Sequence, residues 1–469
     1  VVAGTGGDSG KTLVALGLLL AWREAGLAPA AFKKGPDYID AAWLSWAAGS
    51  PCRNLDTYLQ PRQQVLRSFL RHAAERINLV EGNRGLYDGL DVLGTHSTAT
   101  LARLLSAPVV LVVPAVKVTR TVAAVVLGCK ALDPQVEIAG VVLNRVAGAR
   151  HEALVRRAVE ESAGVPVVGA LPRMRQNPLP DRHLGLVTPE EHAGPSGVAG
   201  PLRRHVEQHL DLARLLEIAR GAGPLEGGAD DAQPKAAAPP DVRVGYFCDS
   251  AFTFYYPDNL EALQAAGAEL VQVDSMRDAA LPDGLDALYL GGGFPETHAA
   301  RLADNAALMA AVRDAAEAGL PIYAECGGLI YLCRSLICGG QRYPMAGVLP
   351  LDLELFDRPR GHGYVELLVD GENPFFERGT LLRGHEFHYT TVADPDPDVA
   401  TAFVVRRGSG SFEKRHEKRD GIVYKNVLAG YTHLHAVGTP GWASEMVRNA
   451  ARFRADVGRG GDNGRARTS

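Results

Sequence analysis

Along the first half of this 469-residue chain, short runs of branched apolar residues alternate with longer stretches of helical period. "VVAG" at the start reads as a strand and Thr12 to Glu24 as an apolar helix. "INLVEG" (Ile77 to Gly82), "PVVLVVPA" (Pro108 to Ala115) and "IAGVVLNRV" (Ile138 to Val146) read as buried strands, each short, apolar and bounded by glycine or polar residues. Such alternation predicts an α/β fold with a parallel sheet, whose ligands bind beyond the carboxyl ends of the strands. From Gly221 to Pro240 the pattern stops: "GAGPLEGGADDAQPKAAAPP" carries too little apolar surface to fold and reads as a linker. A second α/β pattern runs from "VRVGYF" (Val242 to Phe247) through "LDALYLGGG" (Leu285 to Gly293) and "PIYAECGG" to "NVLAGYTHLH". The residues after Arg452 are charged and glycine-rich and read as a frayed tail. The expected division is a first domain over 1–200, a helix and flexible linker over 201–240, a second domain over 241–445 and a tail over 446–469.

Composition narrows the classes. Apolar residues at 46% and charged residues at 22% are ordinary for a globular protein, and the length calls for more than one core. A net charge of −5 with scattered arginines offers no footprint for nucleic acid. No apolar run is long enough to span a bilayer, and no cationic leader precedes the first strand. The six cysteines show no paired spacing, which argues against a disulfide framework or a zinc site and for a reducing cytoplasm.

"GTGGDSGKT" (Gly4 to Thr12) lies between a strand and a helix. There, glycines such as Gly7 and Gly10 let backbone N–H groups converge on phosphate oxygens, Lys11 reaches a terminal phosphate, and the Thr12 hydroxyl can ligate magnesium. The strict GxxxxGK[ST] signature is missed, because Thr5 stands at its first glycine and Gly4 lies one residue earlier. "FKKGPDYID" adds Lys33, Asp37 and Asp40, and Glu81 closes the strand "INLVE"; Asp40 or Glu81 could hold magnesium beside ATP. Both acids could equally be loop or capping groups. Asn144 could read an adenine edge or serve as a cap.

In the second half, "YAECGGL" sets Cys326 between an apolar strand and two glycines. This is the elbow logic that exposes a nucleophile at a tight strand-to-helix turn, with a helix N-terminus favouring the thiolate. Cys333 and Cys338 lack that setting and read as buried apolar residues. "GYTHLHAVG" offers His433 and His435, two apart on a strand and so on one face, one to act on the thiol and the other to orient it. "YLGGGFPE" (Tyr289 to Glu296) could donate backbone N–H groups to an oxyanion.

Together these segments resemble the cobyrinic acid a,c-diamide synthase family, in which a dethiobiotin-synthetase-like P-loop domain precedes a class I glutamine amidotransferase domain. The likeness covers nearly the whole chain and rests on "KKGPDYID", "RNLD", "PDRHLGL", "DSAFTFYYPDNL", "LGGGFPE", "ECGGL", "RGHEFHY" and "YTHLH" in order. It implies ATP and Mg2+ as cofactors, glutamine and a corrinoid as small-molecule substrates, Cys326 as glutaminase nucleophile and His433 as its base. Asp37, Tyr38, Ile39 and Asp40 match the segment near the corrin carboxylate and ATP, and Glu81 the acidic metal or catalytic position. Three departures stand out. Ordinary class I amidotransferases carry His-x-Glu, whereas the third position here is His435. The family's "GVMGLFDG" is "GNRGLYDG", which puts Asn83 and Arg84 near the acceptor, where a guanidinium suits carboxylates. Pro114 replaces an aspartate that usually follows "PVVLVV".

The chemistry so implied is phosphorylation of a substrate carboxylate by ATP, then attack on the acyl phosphate by ammonia released at Cys326 and kept from bulk water. Rival readings are a diamide synthase for hydrogenobyrinic acid or nickel sirohydrochlorin, and a P-loop regulatory ATPase with an inert amidotransferase-like module. A homo-oligomer is compatible with all of them.

Overall fold

Strands β1 (Val2–Gly4), β2 (Ala30–Lys34), β3 (Arg53–Leu55), β4 (Asn78–Gly85), β5 (Val109–Pro114), β6 (Ile138–Val146) and β7 (Val167–Pro172) form a parallel sheet in the order β3-β2-β4-β1-β5-β6-β7. In this computed structural model the described residues are 1–73, 77–174, 179, 181–182, 185–186, 189, 196–225, 241–394, 397–414 and 416–465. Chain contacts divide them into two units, Val1–Gln233 and Pro234–Ser469.

In the first unit, β4 and β5 flank β1 on opposite sides, so the chain reverses direction across the sheet at β1, the arrangement that opens a crevice beyond the strand ends. Helix α1 (Lys11–Glu24) is apolar around most of its surface because it is covered on most sides: Val14 through Trp22 are all buried. One cover is the helix Ser196–His209. A Cβ on Gly17 would stand 2.2 Å from Val206 Cγ2, so glycine is what lets the two helices meet. That helix and the next, Leu212–Arg220, contribute Val198, Leu202, Val206 and Leu215 to the core of the first unit. The first unit therefore continues past residue 200. The linker beyond 225 and most of "PDRHLGL" lie outside the described residues.

In the second unit the sheet begins parallel, in the order Ala268–Val273, Val242–Phe247, Ala287–Leu290, Ile322–Glu325, Val427–Gly430. It continues antiparallel through Glu417–Tyr424, Ala400–Arg407, Gly361–Val369, Leu381–His388 and His433–Leu434. The expected tail departs from the sequence reading, because Trp442–Arg465 is a helix. Trp442, Met446 and Ala450 recur at four-residue spacing and pack on Val242 and Val244 of the sheet, giving the segment a buried face that its charged, glycine-rich end obscures.

Candidate active sites

The first site gathers at the carboxyl end of β1, β2 and β4. The glycine at residue 4, one position early for the strict signature, closes the loop: a Cβ there would meet Ser9 Oγ at 2.0 Å. Gly10 caps α1 in the left-handed region, φ +93°, and a Cβ on it would strike Asn144 Nδ2 at 2.1 Å. Asn144 donates to the Ser9 carbonyl at 2.8 Å, so its amide is engaged in bracing the loop. Pro114 ends β5 in register with Asn144. Gly7 is exposed at the loop's tip, and Lys11 is buried at the start of α1.

Beneath the loop, Thr12 Oγ1 donates to Glu81 Oε1 at 2.6 Å. Glu81 does not close its strand as the sequence suggested. It lies inside β4, which runs four residues further because β4 also bonds to β1 and its loop, and it faces Lys33 in register on β2. Lys33 is wholly buried and bridges two carboxylates, 2.5 Å from Asp40 and 3.3 Å from Glu81. Burial alone would lower its affinity for a proton, but Asp40, Glu81 and Asp37 outweigh it and hold the ammonium charged. Burial pushes Glu81 up to about 7, against the pull of Lys33. Burial and Asp40 push Asp37, whose carboxylate caps helix α2 (Tyr38–Ala48), up to about 6. Tyr38 and Ile39 open that helix, and Ile39 packs on the α1 core. Arg84 is exposed with φ +50°. Its charge, like that of Lys33, acts on buried Lys34, whose proton affinity is lowered chiefly by burial.

Magnesium can be tested against these groups. Among the described residues no trio of acidic, histidine or cysteine side chains forms a metal cage. Magnesium needs only one or two protein oxygens beside phosphate and water. Glu81 Oε2 is buried without a hydrogen-bond partner beside the Thr12 hydroxyl. That orphaned oxygen fits such a site; Asp40 is engaged by Lys33.

The second site is built on the elbow at Cys326. The strand Ile322–Glu325 ends at a residue with φ +49° and ψ −96°, and the helix Gly327–Leu332 begins at once. A left-handed cysteine is strained, and it is held by the Cys326 N–H bond to Gly430 O at 2.7 Å and by packing of Gly327 on Gly292 and Gly293. Cys326 shares a cleft with Phe254, Gly293, Phe294, Glu296 and Tyr389. The helix N-terminus does not make it a resting thiolate. Burial, reinforced by the charge of Glu296, pushes the thiol well above its ordinary range.

The two histidines separate. His433 pairs with His385 across antiparallel strands, and their rings stack at 4.9 Å and 19°. The strand ends at Leu434, so the two-residue alternation that would have put His435 on the same face lapses. His435 Nδ1 instead accepts from Val437 N at 3.3 Å, its ring packs on Tyr256 at 4.6 Å, and Nε2 lies 4.0 Å from Asp258. Glu325, which the sequence reading left without a role, lies 3.6 Å from His433 Nδ1. The signal available was an acid ending an apolar buried strand, a position that demands partners.

Residues 1–186 match a CobQ/CobB/MinD/ParA nucleotide binding domain, and residues 243–440 match a CobB/CobQ-like glutamine amidotransferase domain. Relatives align along nearly the whole of both chains. Cobyrinate a,c-diamide synthase of Magnetococcus marinus is 42% identical over 95% of this chain and 96% of its own. The enzyme of the same name from Syntrophotalea carbinolica is 41% identical over 95% and 97%, and that from Dehalococcoides mccartyi strain 195 is 39% identical over 97% and 98%.

Proposed function

This chain belongs to the cobyrinate a,c-diamide synthase family and is a glutamine-dependent amidating ligase, and from that premise we propose that it converts the a and c side-chain carboxylates of cobyrinic acid to amides at the expense of ATP. The observation that carries the proposal is the presence, on one chain, of a braced phosphate loop over buried Lys33 and Glu81 with half-buried Asp40, and of a strained cysteine opening on a cleft.

In the first unit the Gly4–Gly10 loop and Lys11 bind the triphosphate, and a substrate carboxylate oxygen attacks the γ-phosphorus, giving an acyl phosphate and ADP. Thr12 and Glu81 would hold magnesium, which when bound neutralises phosphate charge. Asp37 and Tyr38, which follow β2, and Arg84, near the end of β4, orient the acceptor in this reading. Lys33 lies between Asp40 and Glu81 and draws the two acids together beneath the loop.

In the second unit the Cys326 thiol proton passes to His433 and the sulfur attacks the side-chain amide carbon of glutamine. The oxyanion meets backbone N–H groups around Gly293 and Gly327. The C–N bond breaks, His433 returns the proton to the leaving ammonia, and a water activated by His433 hydrolyses the thioester to glutamate. The raised thiol makes a neighbouring base necessary. Ammonia then displaces phosphate from the acyl phosphate.

Incubation with ATP, magnesium and glutamine against cobyrinic acid, hydrogenobyrinic acid and nickel sirohydrochlorin, with amides counted by mass, tests the acceptor. Two added amides on cobyrinic acid, formed faster than on the others, are expected. Preference for either alternative would move the assignment to that tetrapyrrole.

A further inference from the structure

His433 is the base in the reading above, and in ordinary class I amidotransferases the residue two positions later is the glutamate that orients it. Here that residue is His435, whose ring nitrogens face Val437 and Asp258. We propose that Glu325, the residue immediately before the nucleophile, is the carboxylate that positions His433.

Glu325 is 1% exposed at the end of the strand Ile322–Glu325, and each oxygen is held. Oε1 accepts from Tyr323 OH at 3.0 Å and from the Leu434 amide at 3.0 Å; Oε2 accepts from Tyr289 OH at 3.2 Å and lies 3.6 Å from His433 Nδ1. Both phenols stay protonated donors, because burial and then the Glu325 charge raise them well above their ordinary range. The Leu434 bond is the telling one. The amide next to His433 is anchored on the same carboxylate that faces its ring, so backbone and side chain of the base are registered to one group.

The rest of the ring is equally constrained. Its Cε1–Nε2 edge lies against Gly292, where a Cβ would come within 2.4 Å of Cε1, and Gly292 and Gly293 abut Gly327 beside Cys326. His385 stacks on one face and is kept neutral, chiefly by burial and then by His433. Nδ1 thus points to Glu325 while the opposite edge points to the glycines at the nucleophile. At 3.6 Å the resting contact is electrostatic rather than a hydrogen bond. It strengthens when the imidazole takes the thiol proton, because the ring then carries a charge in a dry site. Placing the carboxylate one residue from the nucleophile fixes base and thiol from a single strand end. It also leaves the position after Leu434 free to differ from glutamate.

The inference rests on the glutaminase reading, and its test separates the two. The pH dependence of glutamine hydrolysis is measured for the full chain and for Glu325→Gln and Glu325→Asp, with ammonia-dependent amidation followed in parallel. The groups facing the base are Glu325, His385 and, beyond Glu325, Tyr289 and Tyr323. Glu325→Gln removes the carboxylate from this set and leaves the other three groups in place. In Glu325→Gln, kcat should fall by at least about 100-fold and up to about 10⁴-fold, the loss seen when a triad's orienting aspartate becomes asparagine, with glutamine KM within about threefold. The acid limb of kcat/KM should move to lower pH, because an imidazolium without its carboxylate loses its proton more readily. Glu325→Asp should return the limb toward its original position, and ammonia-dependent amidation should persist throughout. An active Glu325→Gln with an unmoved acid limb would overturn the positioning role. So would a limb that moves in His435→Gln instead. A full chain that hydrolyses no glutamine would overturn the glutaminase reading itself.

Discussion

Glu81→Gln tests whether the first unit holds a functional charge at the expense of its own stability. In the folded protein the carboxyl is fully buried, accepts one hydrogen bond from Thr12 and keeps Oε2 without a partner. Even with Lys33 at 3.3 Å its proton affinity rises from the ordinary 4.5 to about 7. The sign follows from linkage. Between those values the unfolded chain has released the proton and the folded chain has not, so stability falls as pH rises from 4.5 through 7 and then levels off. At 1.36 kcal/mol per pH unit over that interval, the ionised carboxylate costs the fold about 3 kcal/mol. Glutamine has the shape of the protonated acid and escapes that penalty. Denaturant unfolding followed by tryptophan fluorescence reports mainly on the first unit, which holds Trp22, Trp43 and Trp46. Wild type and Glu81→Gln should be equally stable near pH 4.5, and the variant more stable by about 3 kcal/mol at pH 8. ATP-dependent amidation should fall at least about 100-fold, as expected when a buried group beside transferring phosphate is removed. A variant no more stable at pH 8 than at 4.5 relative to wild type would refute the penalty. Retained amidation would refute the role.

Gly292→Ala should cut glutaminase kcat about 100-fold with ammonia-dependent amidation unchanged, because the new methyl lies 2.4 Å from His433 Cε1 and must displace the base by a distance that misaligns it; steady-state glutamate release checks this. Gly17→Ala should destabilise the first unit by about 1–3 kcal/mol, the usual cost of overpacking, since its Cβ meets Val206 Cγ2 at 2.2 Å. The same fluorescence-monitored unfolding reads that loss, and no change would mean that Ser196–His209 does not pack on α1 in solution.

The parallel cores were legible because β5 is an unbroken apolar run and β6 carries one up to Leu143, a pattern that buried strands share and amphipathic helices do not. The loop at Gly4 and the elbow at Cys326 were legible because glycine spacing reports backbone conformation directly. What failed to show was anything set by partners distant in sequence. Asn144 read as either an adenine contact or a cap, and its hydrogen bond to Ser9, 135 residues away in the chain, could not be seen from its neighbours. Lys33 read only as one of the candidates for the ATP site, and the register of β2 on β4 that sets it against Glu81 was not visible. His435 read as a second active-site histidine because alternation was extended past the point where the strand stops. For Cys326 the helix start that favours a thiolate was legible, whereas the burial that pushes the thiol up was not. Glu325 was visible as an acid at the end of an apolar strand, but its meaning depended on where His433 returned.

The division of labour between the two units is tested most directly by the ratio of glutamine-dependent to ammonia-dependent amidation in Cys326→Ser and Lys11→Ala. Cys326→Ser should lose glutamine-dependent amidation while ammonia still supports turnover, and Lys11→Ala should lose amidation from either source while still hydrolysing glutamine. Equal loss of both amidation activities in Cys326→Ser would contradict the account.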